Sequence, residues 1–483
     1  MSGLCGWIGH SGPPDKMRAW IGAMAAPLTR EDQSTAALKV GRGSAVGATG
    51  LGGTAAVAAA DGLLAAIMGR PAWSDPEVAA IAERDGDAAA LLDAYRRKGA
   101  PGLLPGLKGA FSLALLDENA GQAILAVDRV ASLPLVYGWA DGTLLFASRG
   151  ESLWGHPRGA ASIDPQSVYN YLYHGAVPAP RTIRRGQSRL LPGEFVRLAG
   201  GRIGTAKYSV VEYRDHDAAP FERLASEFRD LLRQCVGRDA QGASVGTFLS
   251  GGTDSSTVTG VLGEVSGAPA RAYSIGFDAP GYDEMGYARI AAKRFHAEHH
   301  EHYVTPEEVV EAIPRVARIY SDPFGNESAV AAYYCARMAR EQGVERLLAG
   351  DGGDELFAGN ARYAKPRVFS FYTGLPGPMR RWLIEPLLFA VPGGEKIWPV
   401  RKLRSYVRQA NIPMPARMEV YNYLERFGPA RIFRPEFLEQ VDEGKAAFAP
   451  DGERGPLLAQ LWPDAQQEPR ARRTPRSSPT VLL

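Results

Sequence analysis

The sequence has almost no cysteine and almost no net charge. Cys5, Cys235 and Cys335 are its three thiols, an odd and scattered set that excludes a disulfide framework and argues for a reducing, cytoplasmic setting. A formal charge of +2 gives no global electrostatic reason to expect nucleic acid or an anionic membrane as partner, which leaves small molecules. Long apolar runs are missing too. The stretch 382–391 contains Glu385 and Pro386 and is about half of the ~20 residues that span a bilayer. The opening MSGLCGWIGHSG has no basic region ahead of an apolar core, so it does not read as a signal peptide.

What is present is a globular composition, 45% hydrophobic and 22% charged over 483 residues, enough for two or three domains. Up to about residue 208 the pattern is mainly β. Short apolar runs at 63–69, 111–116 and 122–127 alternate with Gly, Asp and Asn turns. A helical pattern at 88–97, with Asp87 as its cap, interrupts them. An α+β layer structure is expected there.

A polar stretch, 209–220, reads as a linker. Beyond it the pattern alternates: helix at 221–235, strand at 244–249, helix from Ser255, strand at 270–277, helix, and a short strand at 346–349. That order predicts an α/β domain over 221–442, a doubly wound parallel sheet. From 443 to 483 periodicity is lost, and the Arg, Pro, Gln and Ser content at 466–479 predicts a disordered tail.

The sharpest chemical feature is FLSGGTDSS, residues 248–256. A strand ends at Leu249, Gly251 and Gly252 permit a tight turn, and a helix opens near Ser255. Backbone N–H groups, serine hydroxyls and the positive helix end make an anion site. Asp254 would repel bare phosphate, so it implies a bridging cation such as Mg²⁺. No Walker lysine is present. A second turn, AGDGGDE at 349–355, puts three carboxylates within five residues and suits a hard divalent ion. Taken singly, each turn also reads as an ordinary Gly-rich connection.

Taken together they carry a resemblance. SGGTDSS is similar to the pyrophosphate loop of asparagine synthetases and related ATP pyrophosphatases, and AGDGGDELFAGNARY resembles those synthetases' second nucleotide motif. Between them YSIGF, YDE, AEHH and SDPF follow the family's order, so the register covers roughly 245–365. The resemblance implies that Leu249, Ser250, Gly251, Gly252, Ser255 and Ser256 hold the ATP phosphates. Ile275, Ala349 and Gly350 would line the adenosine, Asp254 and Asp354 would bind magnesium–pyrophosphate, and Asp351 would lie near the reacting carboxylate. The implied chemistry is an acyl-adenylate captured by ammonia, with metal and amide dipoles stabilising the departing pyrophosphate. His299 and His300 are expected in packing or helix-end roles.

The first 208 residues resemble the same enzymes' N-terminal-nucleophile glutaminase, an αββα fold, through LLPGLKGAF, Asp128-Arg129, PLVY, FAS and LPG. In that family an N-terminal cysteine uses its own α-amino group as base. Cys5-Gly6-Trp7-Ile8-Gly9 matches the nucleophile's surroundings, and Asp87 matches the residue that binds the glutamine amine. Cys5, however, follows Met-Ser-Gly-Leu, so its nitrogen is an amide. Met68-Gly69 stands where the family has Asn-Gly, and the arginine motif is not recognisable around 28–32. A weak or inert glutaminase is expected, against a working one freed by cleavage or by another start. Cys5 reads equally as a buried structural residue.

The resemblance fades after about Gln440, and the family's C-terminal lysine and Arg-x-Pro-Phe-Leu-Asp signature are not found beyond 440. The tail reads as a truncation or a shifted frame. The leading expectation is a cytoplasmic ligase making asparagine from aspartate, ATP and a nitrogen source, with ATP and Mg²⁺ as cofactors and a homodimer as the assembly it admits. The segment FGNESAV at 324–330 departs from the family's run and keeps open a ligase for another carboxylate, of the β-lactam or lasso-peptide cyclase kind. A non-catalytic nucleotide-binding protein and a tRNA-modifying pyrophosphatase are the remaining readings, the last opposed by the near-neutral charge.

Overall fold

The computed structural model describes residues 3–29, 35–50, 53–159, 162–210, 219–279, 283–326, 328–357, 365–394, 396–412, 424 and 427–446. Most of the expected tail, most of the expected linker, Tyr282, Glu327 and the end of the second motif, 358–364, lie outside the described residues. The chain forms two compact units. The first comprises Met1–Tyr171, Gly175–Pro220 and Glu311–Asn326; the second comprises Leu172–His174, Phe221–Val310 and Glu327–Leu483.

The first unit runs β1 (Gly3–Ile8), α1 (Pro14–Thr29), β2 (Ala37–Val40), β3 (Ser44–Thr49), β4 (Ala55–Ala60), β5 (Leu63–Trp73), α2 (Pro76–Asp85), α3 (Asp87–Leu103), β6 (Leu107–Asp117), β7 (Gln122–Val127), β8 (Val136–Ala140), β9 (Thr143–Ala147), α4 (Pro165–His174), β10 (Gln187–Arg189), β11 (Glu194–Ala199) and β12 (Arg202–Lys207). Two antiparallel six-stranded sheets result, in the orders β10-β8-β9-β1-β3-β2 and β12-β11-β7-β6-β5-β4. Hairpins close on Asp61-Gly62 and Asp141-Gly142, all at positive φ, the pairing that suits a two-residue turn between twisted strands.

The sheets face each other across a core that includes Leu4, Val46, Leu64, Met68, Leu116 and Leu125. The outer face of the second sheet packs on α2 and α3 through Ile67, Leu91, Phe111 and Leu113. The outer face of the first packs on α1 through Trp7, Met17, Ile21 and Met24. This is the αββα arrangement. β6 shows its cause: Ala114 and Leu116 face the other sheet while Phe111, Leu113 and Leu115 face the helices. Both faces are buried, so Leu113–Leu116 is an unbroken apolar run instead of an alternation. Each such leucine contributes about 1.5–3 kcal/mol of burial.

The second unit contains α5 (Phe221–Ala240), β13 (Val245–Phe248), α6 (Thr253–Ser266), β14 (Arg271–Phe277), α7 (Met285–Phe295), β15 (Glu298–Val304), the first turns of α8 (Pro306–Ile319), α9 (Ser328–Glu341) and β16 (Arg346–Leu348). Its sheet is parallel, in the order β15-β14-β13-β16. One face packs on α7 through Ala272, Met285 and Ala288. The other packs on α9 through Tyr273, Cys335 and Ala339. Helices on both faces make it the doubly wound α/β sheet.

Short helices α10 (Gly353–Phe357), α11 (Lys365–Thr373), α12 (Gly377–Met379), α13 (Glu385–Ala390) and α14 (Trp398–Asn411) follow. Buried Arg404 of α14 donates to the carbonyls of Leu388, Phe389 and Val391. It satisfies the otherwise unpaired C-terminal groups of α13. Among the described residues no helix is long and apolar enough to cross a membrane.

Three sequence expectations need correction. Asp87 is the first helical residue of α3, and Gly86 is the cap. The helix-end role expected for His299 and His300 gives way to a strand absent from the expected order, β15, whose EHHEHYV pairs with β14 along its whole length. Residues 311–326, expected within the 221–442 domain, belong to the first unit. There Asp322 accepts from the Ile183 backbone at 2.8 Å and ion-pairs with Arg189, and Phe324 bridges Ala176.

Candidate active site

β13 and β16 are neighbours in the parallel sheet, so the loops leaving their C-terminal ends meet, as ligand-binding loops of open α/β sheets do. Leu249, the residue after β13, is buried, with its N–H donating to Tyr273 O and its carbonyl accepting from Ser274 Oγ at 2.5 Å. The chain then turns outward. Gly251 has φ +84, and a Cβ there would collide with the backbone of Tyr287 and Ala288 on α7. Only glycine tolerates both the conformation and the approach.

Gly252 is the N-cap of α6, and the Ser250 and Ser255 hydroxyls lie 3.0 Å apart at its mouth. Ser250 N–H donates to Ser255 Oγ at 3.2 Å, and Ser256 N–H reaches back to Gly252 O at 3.1 Å. The result is an exposed turn of hydroxyls and amide hydrogens on a helix N-terminus, a cradle for an anion.

The second loop closes on the first. A Cβ on Gly350 would meet Ser255 N at 2.7 Å and Asp254 Cβ at 2.8 Å, and one on Gly353 would collide with the Asp254 carboxylate. Asp254, in the first turn of α6, is therefore seated against the second motif's backbone. Asp351 and Ala349 are exposed, and Asp354 is half-buried in the first turn of α10. Ile275 is half-buried on β14, beside β13. Among the described residues no group of three or more His, Cys, Asp or Glu is disposed to hold a metal ion. Asp254 and Asp354 still fit magnesium, which takes one or two carboxylates and completes its shell with water and substrate phosphates.

Sequence reading missed Ser274, whose hydroxyl joins Leu249 O to His299 Nε2 at 2.7 Å. It also missed that α7 supplies the floor under Gly251. Ser274 lay within the quoted YSIGF, but its partner is 25 positions away, and only the parallel pairing brings them together. His299 is on a strand and not at a helix end, and burial lowers its pKa. His300 stacks on Tyr273 at 4.9 Å.

In the first unit Cys5 sits inside β1, paired with Gly47 on one side and Ala147 on the other. The strand's alternation aims Leu4 between the sheets and Cys5 outward against α1. Its side chain is 0% exposed, and burial pushes the thiol up to about 12. At neutral pH such a thiol is almost entirely protonated and a poor nucleophile. Asp87 lines a different place, a cavity of about 180 Å³ with Thr54, Met68, Gly69 and Pro71, where it accepts from Trp73 Nε1 at 2.8 Å. Burial raises its pKa. Cys5 does not line that cavity.

Comparison with known proteins agrees with both halves. The asparagine synthase family model matches residues 227–471, and a glutamine amidotransferase domain model matches 79–209. Asparagine synthetase [glutamine-hydrolysing] 1 of Bacillus subtilis is 27% identical over 303 residues, covering 62% of this chain and 47% of that protein. A Methanocaldococcus jannaschii protein with a provisional asparagine synthetase name is 30% identical over 277 residues, 56% of this chain and 53% of its own. Asparagine synthetase B of Escherichia coli is 25% identical over 297 residues, 58% and 48%. The chain spans about half the length of these relatives. With just over half of its residues matched by that family's model, the chain belongs to the asparagine synthase family.

Proposed function

We propose that the chain is an ATP-dependent amide-forming ligase, taking aspartate to asparagine through an acyl-adenylate and releasing AMP and pyrophosphate. The observation that carries this reading is the seating of Asp254 between the hydroxyl-lined turn of α6 and Gly350 and Gly353 of the second motif. That arrangement supports one polyphosphate site with a carboxylate at its edge. Ser250, Gly252, Ser255 and Ser256 bind the phosphates. Asp254 and Asp354 hold the magnesium that screens their charge, and Asp351 faces the acceptor carboxylate. Ile275, Ala349 and Gly350 border the adenosine. Fixed dipoles aimed at the departing pyrophosphate lower the barrier without reorganising during the reaction. The test is pyrophosphate release from Mg-ATP and ammonium. Release that depends on aspartate is expected; release that ignores aspartate but follows another carboxylate transfers the reading to that acceptor.

Of the two nitrogen donors, glutamine and free ammonia, we favour ammonia, with a weak or inert glutaminase half. The buried, protonated thiol of Cys5 and its absence from the lining of the Asp87 cavity support this. Glutamine is expected not to replace ammonium, and glutamate release from glutamine to stay at background. Glutamate release abolished by Cys5→Ala would reverse the assignment. A reaction fed by ATP and free amino acids supports a cytoplasmic protein with small molecules as partners.

A further inference from the structure

The first unit holds a second and larger cavity, of about 310 Å³, that neither half of the proposed reaction uses. Residues 320–324 form one wall of it, β8 and the stretch after α4 form others, and Arg189 at the end of β10 closes it. All of these belong to the first unit. The walls are apolar: Val136 and Val177 are buried, and the Tyr320 and Phe324 rings stand 4.5 Å apart at a tilt of 49°.

Its polar groups differ in what they have left to offer. Ser148 Oγ accepts from Leu4 N at 2.7 Å and also donates to Leu4 O. Ser321 Oγ accepts from Gly150 N at 2.7 Å and donates to Glu151 at 3.1 Å. Asp322 is taken by the Ile183 N–H, by Arg189 and, at 3.8 Å, by Arg184. Arg189 alone keeps donors in hand. Its one Nη binds Asp322, and among the described residues no protein acceptor meets its Nε or other Nη.

The charge behind the cavity is unbalanced. Among the described residues Arg149, Arg184 and Arg189 interlock with two carboxylates, Glu151 and Asp322. All but Arg189 have side chains no more than 12% exposed, while Arg189 is at 29%. One positive charge is thus left over in a poorly screened place, and its accessible end is a guanidinium fork suited to a carboxylate. We propose that this cavity binds a small monocarboxylic acid with an apolar, aromatic body, its carboxylate on Arg189 and its ring between Tyr320, Phe324, Val136 and Val177. The volume is that of roughly ten water molecules, which suits an acid of about ten non-hydrogen atoms. Aspartate is the wrong shape of ligand, since its second charge and its amine would lie against apolar walls without partners.

The experiment is calorimetric titration of the full chain without nucleotide, using phenylacetate, phenethylamine and aspartate as probes. Saturable binding of phenylacetate, at least tenfold tighter than either of the others, is expected. Arg189→Gln should weaken phenylacetate by about tenfold or more, as loss of hydrogen bonds to a charged group does. Val177→Phe, which fills the cavity from a wall residue outside the Arg189–Asp322 pair, should abolish binding. Asp254→Ala should leave it unchanged, so failure at the nucleotide site and failure here are separable. No saturation at millimolar phenylacetate, or phenethylamine binding equally well to the unaltered protein, overturns the proposal without reference to any variant.

Discussion

Asp254→Ala is expected to reduce aspartate-dependent pyrophosphate release by about 10²–10³-fold or more, the scale on which single preorganised electrostatic contacts act, while the protein stays folded. Asp254 is half-buried at the start of α6, so no large apolar area is lost with it. The sharper comparison is between two glycines. A Cβ at Gly353 collides with the Asp254 carboxylate, the far end of a rotatable side chain. Gly353→Ala therefore swings the carboxylate away and should mimic Asp254→Ala in activity with little change in melting temperature. A Cβ at Gly350 instead meets backbone: Ser255 N at 2.7 Å and Asp254 C at 2.8 Å. Gly350→Ala has no side chain to displace, must separate the two loops, and should lower stability by about 1–3 kcal/mol, the usual cost of overpacking, as well as activity. Steady-state pyrophosphate release and thermal melting on the three variants decide it. Full activity in either Asp254→Ala or Gly353→Ala removes the carboxylate from the site.

The synthetase half was legible in the sequence because its information is local. In FLSGGTDSS the strand end, the turn glycines and the helix start lie within nine residues, and the structure has β13, Gly251 at positive φ and α6 in that order. β15 was not legible. EHHEHYV is an edge strand with mostly polar, partly exposed side chains, so it shows neither alternation nor an apolar run, and its place is set by the register with β14. α1 was also missed: Gly22, several alanines and an internal Pro27 blur its helical period. Tertiary packing through Met17, Ile21 and Met24 carries it instead.

Cys5 illustrates a different limit. Its neighbours resemble a nucleophile's, but a strand gives adjacent residues opposite faces, and which face is the chemical one depends on where the strand begins. Here two residues ahead of Cys5, Gly3 and Leu4, are strand, and the thiol falls on the α1 side. The widest gap in the reading was His10 and His156, separated by 146 positions. Nothing in either local sequence marks them as a pair.

That pair should make the first unit acid-sensitive well above the carboxylate range. His156 is 2% exposed, against Trp7 and Trp20. Its Nδ1 accepts from the Arg158 backbone N–H at 3.2 Å, so the neutral ring carries its proton on Nε2. That proton points at His10 Nδ1, 3.1 Å away, and His10 must then accept. Protonating His156 sets a new N–H against the Arg158 amide. Protonating His10 sets two donors face to face, and the Arg158 side chain adds further positive charge. Burial first, then the His10 and Arg158 charges, lower His156 to about 4; His10 is lowered as well, by burial and by Arg158.

The folded-state pKa lies below the unfolded value of about 6.5, so between the two the unfolded chain binds more protons. The stabilisation is complete above pH ~6.5 and is lost as pH falls toward 4, at up to about 1.4 kcal/mol per pH unit and about 3 kcal/mol in all from His156. Urea unfolding between pH 7.5 and 4.5 should show that slope. His156→Asn keeps an acceptor for the Arg158 N–H while removing the titration. It should be less stable at pH 7.5 and flatter below 6.5. An unchanged slope in His156→Asn would assign the acid sensitivity elsewhere.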